Sequence, residues 1–599
     1  MSHVDLRSFL TQLEREREIV TVEEEVDPDL ELAEIHRRVI AAGGPALRFN
    51  RVRGHDIPVV TNLFGTRRRV DMAFGPRPEQ FVRDAVAATH TLVPPTLSRL
   101  WGARKFLRSA LDIGMTTRSW GPVTEVVEQP ARLDRLPMIK SWPEDGGAFV
   151  TLPLVYTEHP DDGRHNLGMY RVQRHSPTTT GMHWQIGKGG GYHHHVAKLR
   201  GQPLPVTLFV GGPPALIVSA IAPLPENVPE LLLASLLQGS RLDRVSHPSS
   251  PHPLVSGCEF AMVGTVSPTE MAPEGPFGDH YGYYSLRHDY PVFRVDTVFH
   301  RRDAIWPATV VGKPRQEDAF IGDYLQRLLS PLFPLVMPNV RDLWSYGETG
   351  YHALAAAVVE ERFRREAMSA ALRVLSEGQL ALTKFLLVVD QPMDLTDGRA
   401  VLEHILARFQ PETDVHVIGN MSLDSLDYTG PKLHEGSRGL WLGLGPPIRT
   451  LPGDVPADPG PGVAHAAVFC RGCLVVDGKS YEADPTWART MAAAGSPFPL
   501  VVLVDDAQRT ASSTTRFLWT VFTRFEPAAD IVAAKERIVR NQVVRSGTIV
   551  IDARMKPTYP AELHTDPETA RRVTDGWGRW FPNGDVPMGD SEGAHLDAP

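Results

Sequence analysis

The chain has 599 residues, 42% of them apolar and 22% charged, with a formal net charge of −9 and both signs mixed along its length. That mixture excludes the basic face a nucleic-acid or anionic-membrane surface needs, and three cysteines exclude a disulfide framework. There is no run of about 18 uninterrupted apolar residues, and the start, MSHVDLRSFLTQLERERE, is charged where a secretory signal would be apolar, so the expectation is a cytoplasmic protein with no stable membrane insertion and no nucleic-acid partner.

At roughly 150 residues per domain this length predicts three or four units. Residues 6–42 read as helices with charged faces, and IPVVTNLFG, 57–65, as a strand entering a glycine turn. From about 150 to 310, short apolar runs broken by Gly and Pro (LPVTLFVGG, FAMVGTV, YPVFRVDTVFH) predict a β-rich sandwich or barrel. After about 340 helix and strand alternate, as in VVEERFRREAMSAALRVLSEG followed by TKFLLVVD, which predicts an α/β part. The stretch PPIRTLPGDVPADPGPGV, 446–463, predicts an extended linker. On one side of it FLLVVD (385–390) leads through a helix to RFQPETDV (408–415); on the other, PLVVLVDD (499–506) leads to RFEPAADI (524–531). The recurrence predicts two βα units of one design with a boundary near 460. Cys470 and Cys473 form one CxxC without further ligands at zinc-site spacing, and HAAVFCRGCLVVD reads as strand and turn.

Four segments carry residues suited to chemistry. In NLGMYRVQ, 166–173, Arg171 offers a planar fork of donors to a carboxylate, although a strand arginine paired at the surface is the commoner account of such a residue. In TTGMHWQIGKGGGYHHHVAK, 179–198, glycines around Lys188 would let backbone N–H groups approach a phosphate. The spacing is not that of a P-loop, and a mobile glycine loop is the equal alternative. The run His193, His194, His195 reads as a solvated polar tract rather than a metal site, because neighbours on an extended chain face opposite ways. In PLPENVPELLLASLLQG, 223–239, Asn227 and Glu230 fit a capping box, and the alternative of Glu230 as an oxygen ligand to a hard cation stays open. PEGPFGDHYGYYS, 273–285, sets Glu274 and Asp279 around a Gly-Pro-Phe-Gly turn. A carboxylate beside Arg171 would stay ionised, whereas one buried among Phe277, Tyr281, Tyr283 and Tyr284 would have a raised pKa and hold a proton to deliver.

In this order NLGMYRVQ, TTGMHWQIGKGGG, APLPENVPE and EGPFGDHYGYYS resemble the UbiD family of decarboxylases over nearly the whole chain. The part beyond about 460 resembles a longer subgroup that includes the decarboxylases proposed for the futalosine route to menaquinone. The resemblance implies an α+β multidomain fold. Its expected parts are an N-terminal α/β region (1–120), a central split β-barrel of flavin-reductase type that binds the cofactor (121–320), a C-terminal α/β oligomerisation domain (335–460) and an additional α/β extension (461–599). It implies prenylated FMN with a divalent ion, usually Mn2+, and K+ at the phosphate. It makes Arg171, Glu274 and Asp279 the catalytic network, and Asn166 and Glu230 metal ligands. Met169, Tyr170, Arg171, His183, Trp184, Gln185, Lys188 and Gly189 would line the cofactor, and Arg438 stands where relatives often carry a lysine near its phosphate. Gly187 fills a slot where many members have a metal-binding histidine, so a residue such as His193 would compensate, the ion would be held by Asn166, Glu230, phosphate and water, or this copy would bind cofactor poorly; the second is the favoured expectation.

The implied activity is non-oxidative decarboxylation of an aromatic or α,β-unsaturated carboxylic acid, with Asp279 returning a proton to carbon. The first substrate expectation is a dihydroxynaphthoate-type acid of menaquinone biosynthesis, with another aromatic acid of specialised metabolism as the alternative. The implied partners are a flavin prenyltransferase that supplies the cofactor and further copies of the chain in a dimer or hexamer. A flavin reductase-like oxidoreductase and a cofactor-free binding or assembly subunit are the rival functions.

Overall fold

The computed structural model describes residues 3–91, 96–184, 189–224, 228–313 and 316–590. Its contacts divide the described residues into two units, 3–328 with 562–590, and 329–561. The extension expected over 461–599 is therefore not one body. Its last helix, Pro567–Trp580, buries Val573 and Trp580, and with Phe581 and Val586 these join the core of the first unit. Burial of that apolar face overrides position in the chain.

In the first unit the helix Leu6–Arg15 forms because Leu6, Phe9, Leu10 and Leu13 recur at helical spacing, and Asp5 caps its start by accepting from the Ser8 N–H. With the helix Glu31–Ala41 it accompanies a four-stranded sheet of Ile19–Val22, Ala46–Phe49, Val59–Thr61 and Trp306–Pro307. The central sheet has seven strands. Its hydrogen-bonded path runs Thr179–Gly181, His288–His300, Phe260–Glu274, Leu204–Val210, Leu154–Glu158, His165–Gly168, with Val126–Glu128 added beside His288–His300. All these pairings are antiparallel, and among the described residues no strand pairing joins the two ends of the path. The ends nevertheless approach each other: His183, just past one edge strand, donates its N–H to the carbonyl of Arg171, just past the other. The longest hairpin, Phe260–Glu274 with His288–His300, is buried throughout its first residues and slips register between Val266 and Met271 before reaching Glu274, opposite His288.

The second unit contains two five-stranded sheets of the same order. The first runs Val340–Ser345, Leu354–Val359, Phe385–Val389, Glu435–Gly443, Val415–Ser422; the second runs His465–Cys470, Cys473–Asp477, Leu500–Leu503, Gln542–Asp552, Ile531–Val539. In each, the second, third and fourth strands of the order are parallel and the outer two pair antiparallel. The recurring RF-x-P-x-x-D segments become the short helices Pro411–Asp414 and Pro527–Asp530, each packed on a strand of the other sheet. No helix or strand lies between Gly443 and His465, where the linker is expected. Cys470 and Cys473 pair across the tight hairpin and are both buried.

Candidate active site

Arg171 follows the strand His165–Gly168, and Glu274 ends the strand Phe260–Glu274, so two distant stretches of one sheet deliver the pair. The guanidinium grips Glu274 with both edges of its fork, Nε donating to Oε1 at 2.8 Å and Nη2 to Oε2 at 3.0 Å. Nη1 donates to Asp279 Oδ2 at 2.5 Å and Nη2 also to Ser285 Oγ at 2.8 Å. The Arg171 guanidinium carbon lies 4.8 Å from the centre of the Phe277 ring. Glu274 is 0% and Asp279 6% exposed, so the arginine is a buried counter-ion rather than a surface strand residue.

His183 completes the group, with Nδ1 3.2 Å from Glu274 Oε2 and its ring centre 4.2 Å from that of Tyr290. Burial and then the charge of Arg171 lower the His183 pKa against the pull of Glu274, which leaves a neutral ring whose Nδ1–H donates to the carboxylate. Burial alone would raise Glu274, but the charge of Arg171 and the bonds from His183 and Arg171 outweigh it and hold Glu274 at about 2.

Asp279 departs from the expectation of a buried, proton-holding acid. Burial pushes its pKa up, yet the bonds and charge of His280, then the charge of Arg171, hold it well below the usual carboxylate range. Its Oδ1 accepts from the His280 N–H at 2.7 Å and lies 2.6 Å from His280 Nδ1. The tyrosines expected to desolvate it are indeed buried, but Arg171 and His280 reach it first.

The turn that carries both acids is clamped from outside. Asp145 Oδ1 accepts from Gly278 N at 2.7 Å, Gln173 Oε1 from Gly275 N at 2.8 Å, and Gly146 N donates to Pro276 O at 2.8 Å. Gly275 sits at φ +90°, and a Cβ on Gly278 would fall 2.1 Å from Trp142 Cδ1, so both positions need glycine. Asp145 also accepts from the N–H groups of Ser141 and Trp142, and its burial raises its pKa to about 6 in spite of those bonds. Sequence reasoning missed Asp145, Gln173, Trp142 and Ser285. SWPEDGG, 141–147, offers only a turn-like composition as a signal.

A second group lies beside the first. Asn166, Tyr170 and Glu230 surround the start of the helix Gly189–Leu199: the Tyr170 hydroxyl accepts from Gly190 N, Glu230 Oε2 accepts from Leu167 N at 3.1 Å, and a Cβ on Gly189 would fall 1.9 Å from Asn166 Oδ1. Glu230 does not close a capping box: Pro229 is the cap of its helix, and Asn227 lies outside the described residues. Burial raises the Glu230 pKa, and no cation is paired with it among the described residues.

Among the described residues, the amide nitrogen of Asn166 and the indole nitrogen of Trp184 are buried without hydrogen-bond partners. A carboxyl short of a counter-charge, unspent polar groups and a glycine where backbone is closely approached fit a divalent ion and a phosphate. Tyr170 and Trp184 place their side chains in the hydrophobic core, so they would present backbone to a cofactor; Met169 between the two groups is half-buried. Gln185, Gly187 and Lys188 lie outside the described residues.

Two further sequence expectations change. His193 and His194 are buried on a helix rather than solvated: His193 Nδ1 meets Thr157 Oγ1 at 2.9 Å, and His194 Nε2 meets Ser267 O at 3.0 Å. Arg438 is 2% exposed inside the second unit, where Nη1 donates to Leu375 O at 2.6 Å and Nη2 to Ser422 O at 3.0 Å. Those carbonyls take donors from both terminal nitrogens, while Nε is buried without a partner among the described residues. Among the described residues no group of three or more His, Cys, Asp or Glu could hold a metal ion, and no helix is long and apolar enough to cross a membrane.

An open antiparallel sheet carrying a buried Arg-Glu-Asp network has the paired acids and fixed cation that acid–base chemistry requires. Comparison with known proteins identifies the family. Residues 10–89, 115–314 and 319–442 match the N-terminal, Rift-related and C-terminal domains of 3-octaprenyl-4-hydroxybenzoate carboxy-lyase, UbiD. The chain belongs to the UbiD family of carboxy-lyases. It is 48% identical over 580 residues to an uncharacterised protein of Chlamydia trachomatis, covering 96% of this chain and 100% of that one. It is equally 48% identical over 578 residues to a protein of Chlamydia pneumoniae named as one subunit of a 4-hydroxybenzoate decarboxylase, covering 96% and 98%.

Among solved structures, vanillic acid decarboxylase of Sedimentibacter hydroxybenzoicus in closed form superposes with a TM-score of 0.67 at 23% identity, over 76% of this chain and 97% of that one. The UbiD-class enzyme HmfF of Pelotomaculum thermopropionicum, an evolved dimeric form in complex with prenylated FMN, does so with a TM-score of 0.60 at 24% identity, over 74% and 95%. At these identities the two show a shared fold.

Proposed function

We propose that the chain is a prenylated-FMN-dependent decarboxylase of a hydroxylated aromatic or otherwise conjugated carboxylic acid. The observation that carries this reading is the buried contact of Arg171 with both Glu274 and Asp279. When bound, prenylated FMN supplies the electron sink that loss of carbon dioxide from such an acid requires. Asn166 and Glu230 hold a divalent ion, with Mn2+ the first candidate, while the backbone around Gly189 takes the phosphate with K+ nearby. No group of three or more His, Cys, Asp or Glu forms among the described residues, so phosphate and water would complete the shell of an ion held by Asn166 and Glu230. The approach of the sheet's two edges at Arg171 and His183 supports a split barrel around this site.

Glu274 stays ionised and fixes the fork of Arg171. Asp279, ionised at rest, takes a proton from His280, whose side chain is 27% exposed and exchanges with solvent, and passes it to the carbon that has lost carbon dioxide. Charge balances: a carboxylate and one proton become carbon dioxide and a C–H bond. A flavin reductase-like reaction needs neither acid, so retention of activity in Glu274→Gln would favour that reading instead.

The hydroxybenzoate and vanillate activities named for relatives support a hydroxylated aromatic substrate. A dihydroxynaphthoate is the first acid to test and 4-hydroxybenzoate the second. We further propose a cytoplasmic homo-oligomer, dimer or hexamer, loaded by a flavin prenyltransferase. The test is co-expression with such a prenyltransferase, followed by an absorption spectrum, mass analysis of released ligand and a manganese determination. Prenylated FMN with about one metal per chain is expected, and carbon dioxide release is then assayed over a panel of aromatic acids. Protein that stays empty while a known relative fills in parallel overturns the reading in favour of a cofactor-free binding subunit.

A further inference from the structure

The turn carrying Asp279 is closed on its inner side by its own backbone: Asp279 N donates to Tyr283 O at 3.1 Å and Gly282 N to Asp279 O at 2.9 Å. Its outer side is held by the far end of the chain. Leu563 N donates to Gly282 O at 3.0 Å, Glu562 bridges antiparallel to Tyr283, and the Glu562 carboxylate lies 3.5 Å from Lys313 Nζ. The Leu563 side chain is 1% exposed and clusters with Ala33, Trp142, Tyr284 and Val310. Trp142 is the ring that leaves room only for glycine at 278, and its Nε1 donates to Val311 O at 2.6 Å.

The segment is anchored behind this contact. Arg38 Nη1 donates to Thr574 Oγ1 and Nη2 to Ala570 O, both at 2.9 Å, and Arg572 Nε pairs with Glu31 at 3.1 Å. A turn on the surface of a sheet is ordinarily free to open, because few apolar contacts hold it. Here a strand-like addition of 562–564 supplies both hydrogen bonds and a buried leucine.

We propose that Leu563, with the backbone of Glu562 and Leu563, is a positioning residue for Asp279: the returning C-terminal segment straps the turn 279–284 and so sets where the acid's carboxylate stands. This rests on the reading of Asp279 as the proton donor for its purpose, but the strap itself is testable on full-length protein without cofactor. Hydrogen exchange followed by mass spectrometry should show peptides spanning 279–285 exchanging roughly 30-fold faster in Leu563→Ala, the lower end of what a buried leucine cavity does to an opening equilibrium. Peptides from 204–210, which do not touch Leu563's cluster, should keep their wild-type rates, and Leu563→Met should restore protection.

If the alanine variant fails to fold, Leu563→Val gives a smaller acceleration confined to the same peptides. Unchanged exchange at 279–285, or acceleration spread evenly over the first unit, overturns the proposal. On loaded enzyme turning over its accepted acid, kcat should fall in Leu563→Ala with KM little changed. Failure of the loading experiment refutes the decarboxylase reading and leaves the exchange result standing.

Discussion

Replacing Arg171 by methionine keeps much of the side chain's volume but leaves Glu274 and Asp279 buried without their shared counter-ion. The cost can be bounded from Glu274 alone. Its pKa falls from 4.5 to about 2 in the folded chain. At 1.36 kcal/mol per unit this corresponds to about 3 kcal/mol of stabilisation near neutrality. That agrees with the roughly 3–5 kcal/mol expected when one member of a buried pair is removed. For a carboxylate whose folded pKa is depressed, the stabilisation is complete above the unfolded value and disappears as pH falls towards the folded one. Without Arg171, burial raises the Glu274 pKa in the variant, so the gap between wild type and Arg171→Met should be full only above that raised value and shrink as pH drops through 4.5 towards 2. Hydrogen exchange of peptides spanning 274–285, corrected for intrinsic rates, measures it as a local opening free energy without assuming that the whole chain unfolds in one step. The double variant Arg171→Met, Glu274→Gln should recover much of the loss, because the uncompensated charge is then gone. Additive losses in that cycle, or a gap that persists unchanged down to pH 3, would show that the contact is not an energetically coupled ion pair and would remove the physical basis for the site.

Other parts of the site give independent outcomes. Asp145 has a raised folded pKa, about 6, so the folded chain holds its proton more tightly than the unfolded one, and stability falls as pH rises from about 4 through 6. Asp145→Asn should flatten that dependence in exchange measured at residues 275–278 while loosening the turn at pH 4, because one acceptor is lost. Gly278→Ala drives a methyl into the buried Trp142 ring and should lower thermal stability of the first unit by about 1–3 kcal/mol, read by calorimetry. Glu230→Gln should reduce manganese retained after loading and dialysis by at least about tenfold, with little effect on the melting of the apo protein, since the burial penalty on its charge is relieved.

How much of this was readable from the sequence depended on the range over which each signal acts. The β-rich texture of 150–310 and the helix–strand alternation after 340 are local patterns of period and breaker residues, and the sheets appear where those patterns lie. The duplicated strand, helix and RF-x-P-x-x-D order was visible because each half repeats its own local grammar, and the two sheets have one strand order. Arg171, Glu274 and Asp279 were singled out through composition and family likeness, and the structure brings them within hydrogen-bond distance of one another. Their charge states followed less well. The expectation for Asp279 weighed tyrosines nearby in sequence and could not see Arg171 arriving from a strand about a hundred residues away, nor how closely its own neighbour His280 would turn back onto the carboxylate. The histidine tract failed for a related reason. Read as extended chain, His193 and His194 belong on opposite faces in water; on a helix they are one residue apart on a partly buried side and meet Thr157 and Ser267.

The returning segment is the extreme case of that limit. AELHTDPETARRVTDGWGRW announces a helix, with Asp566 and Pro567 at its start and apolar residues at helical spacing, but nothing local says which surface that apolar face will cover. The choice is made by partners more than 500 residues earlier in the chain, Arg38 and Glu31, whose helix offers donors and a carboxylate matched to Thr574, Ala570 and Arg572. Once that helix is docked, the few residues just before it have little length to wander, and Leu563 is carried to the turn of Asp279. Position next to the acid is thus a consequence of where a remote helix packs. Substitutions in the docking pair should consequently be felt at 279–285 even though they touch nothing there: Arg38→Met should accelerate exchange of those peptides together with 567–580, whereas Leu563→Ala should leave 567–580 protected. If Arg38→Met released the helix and the turn stayed protected, the strap would be held by Leu563 and Glu562 alone and the docking helix would have no part in positioning the acid.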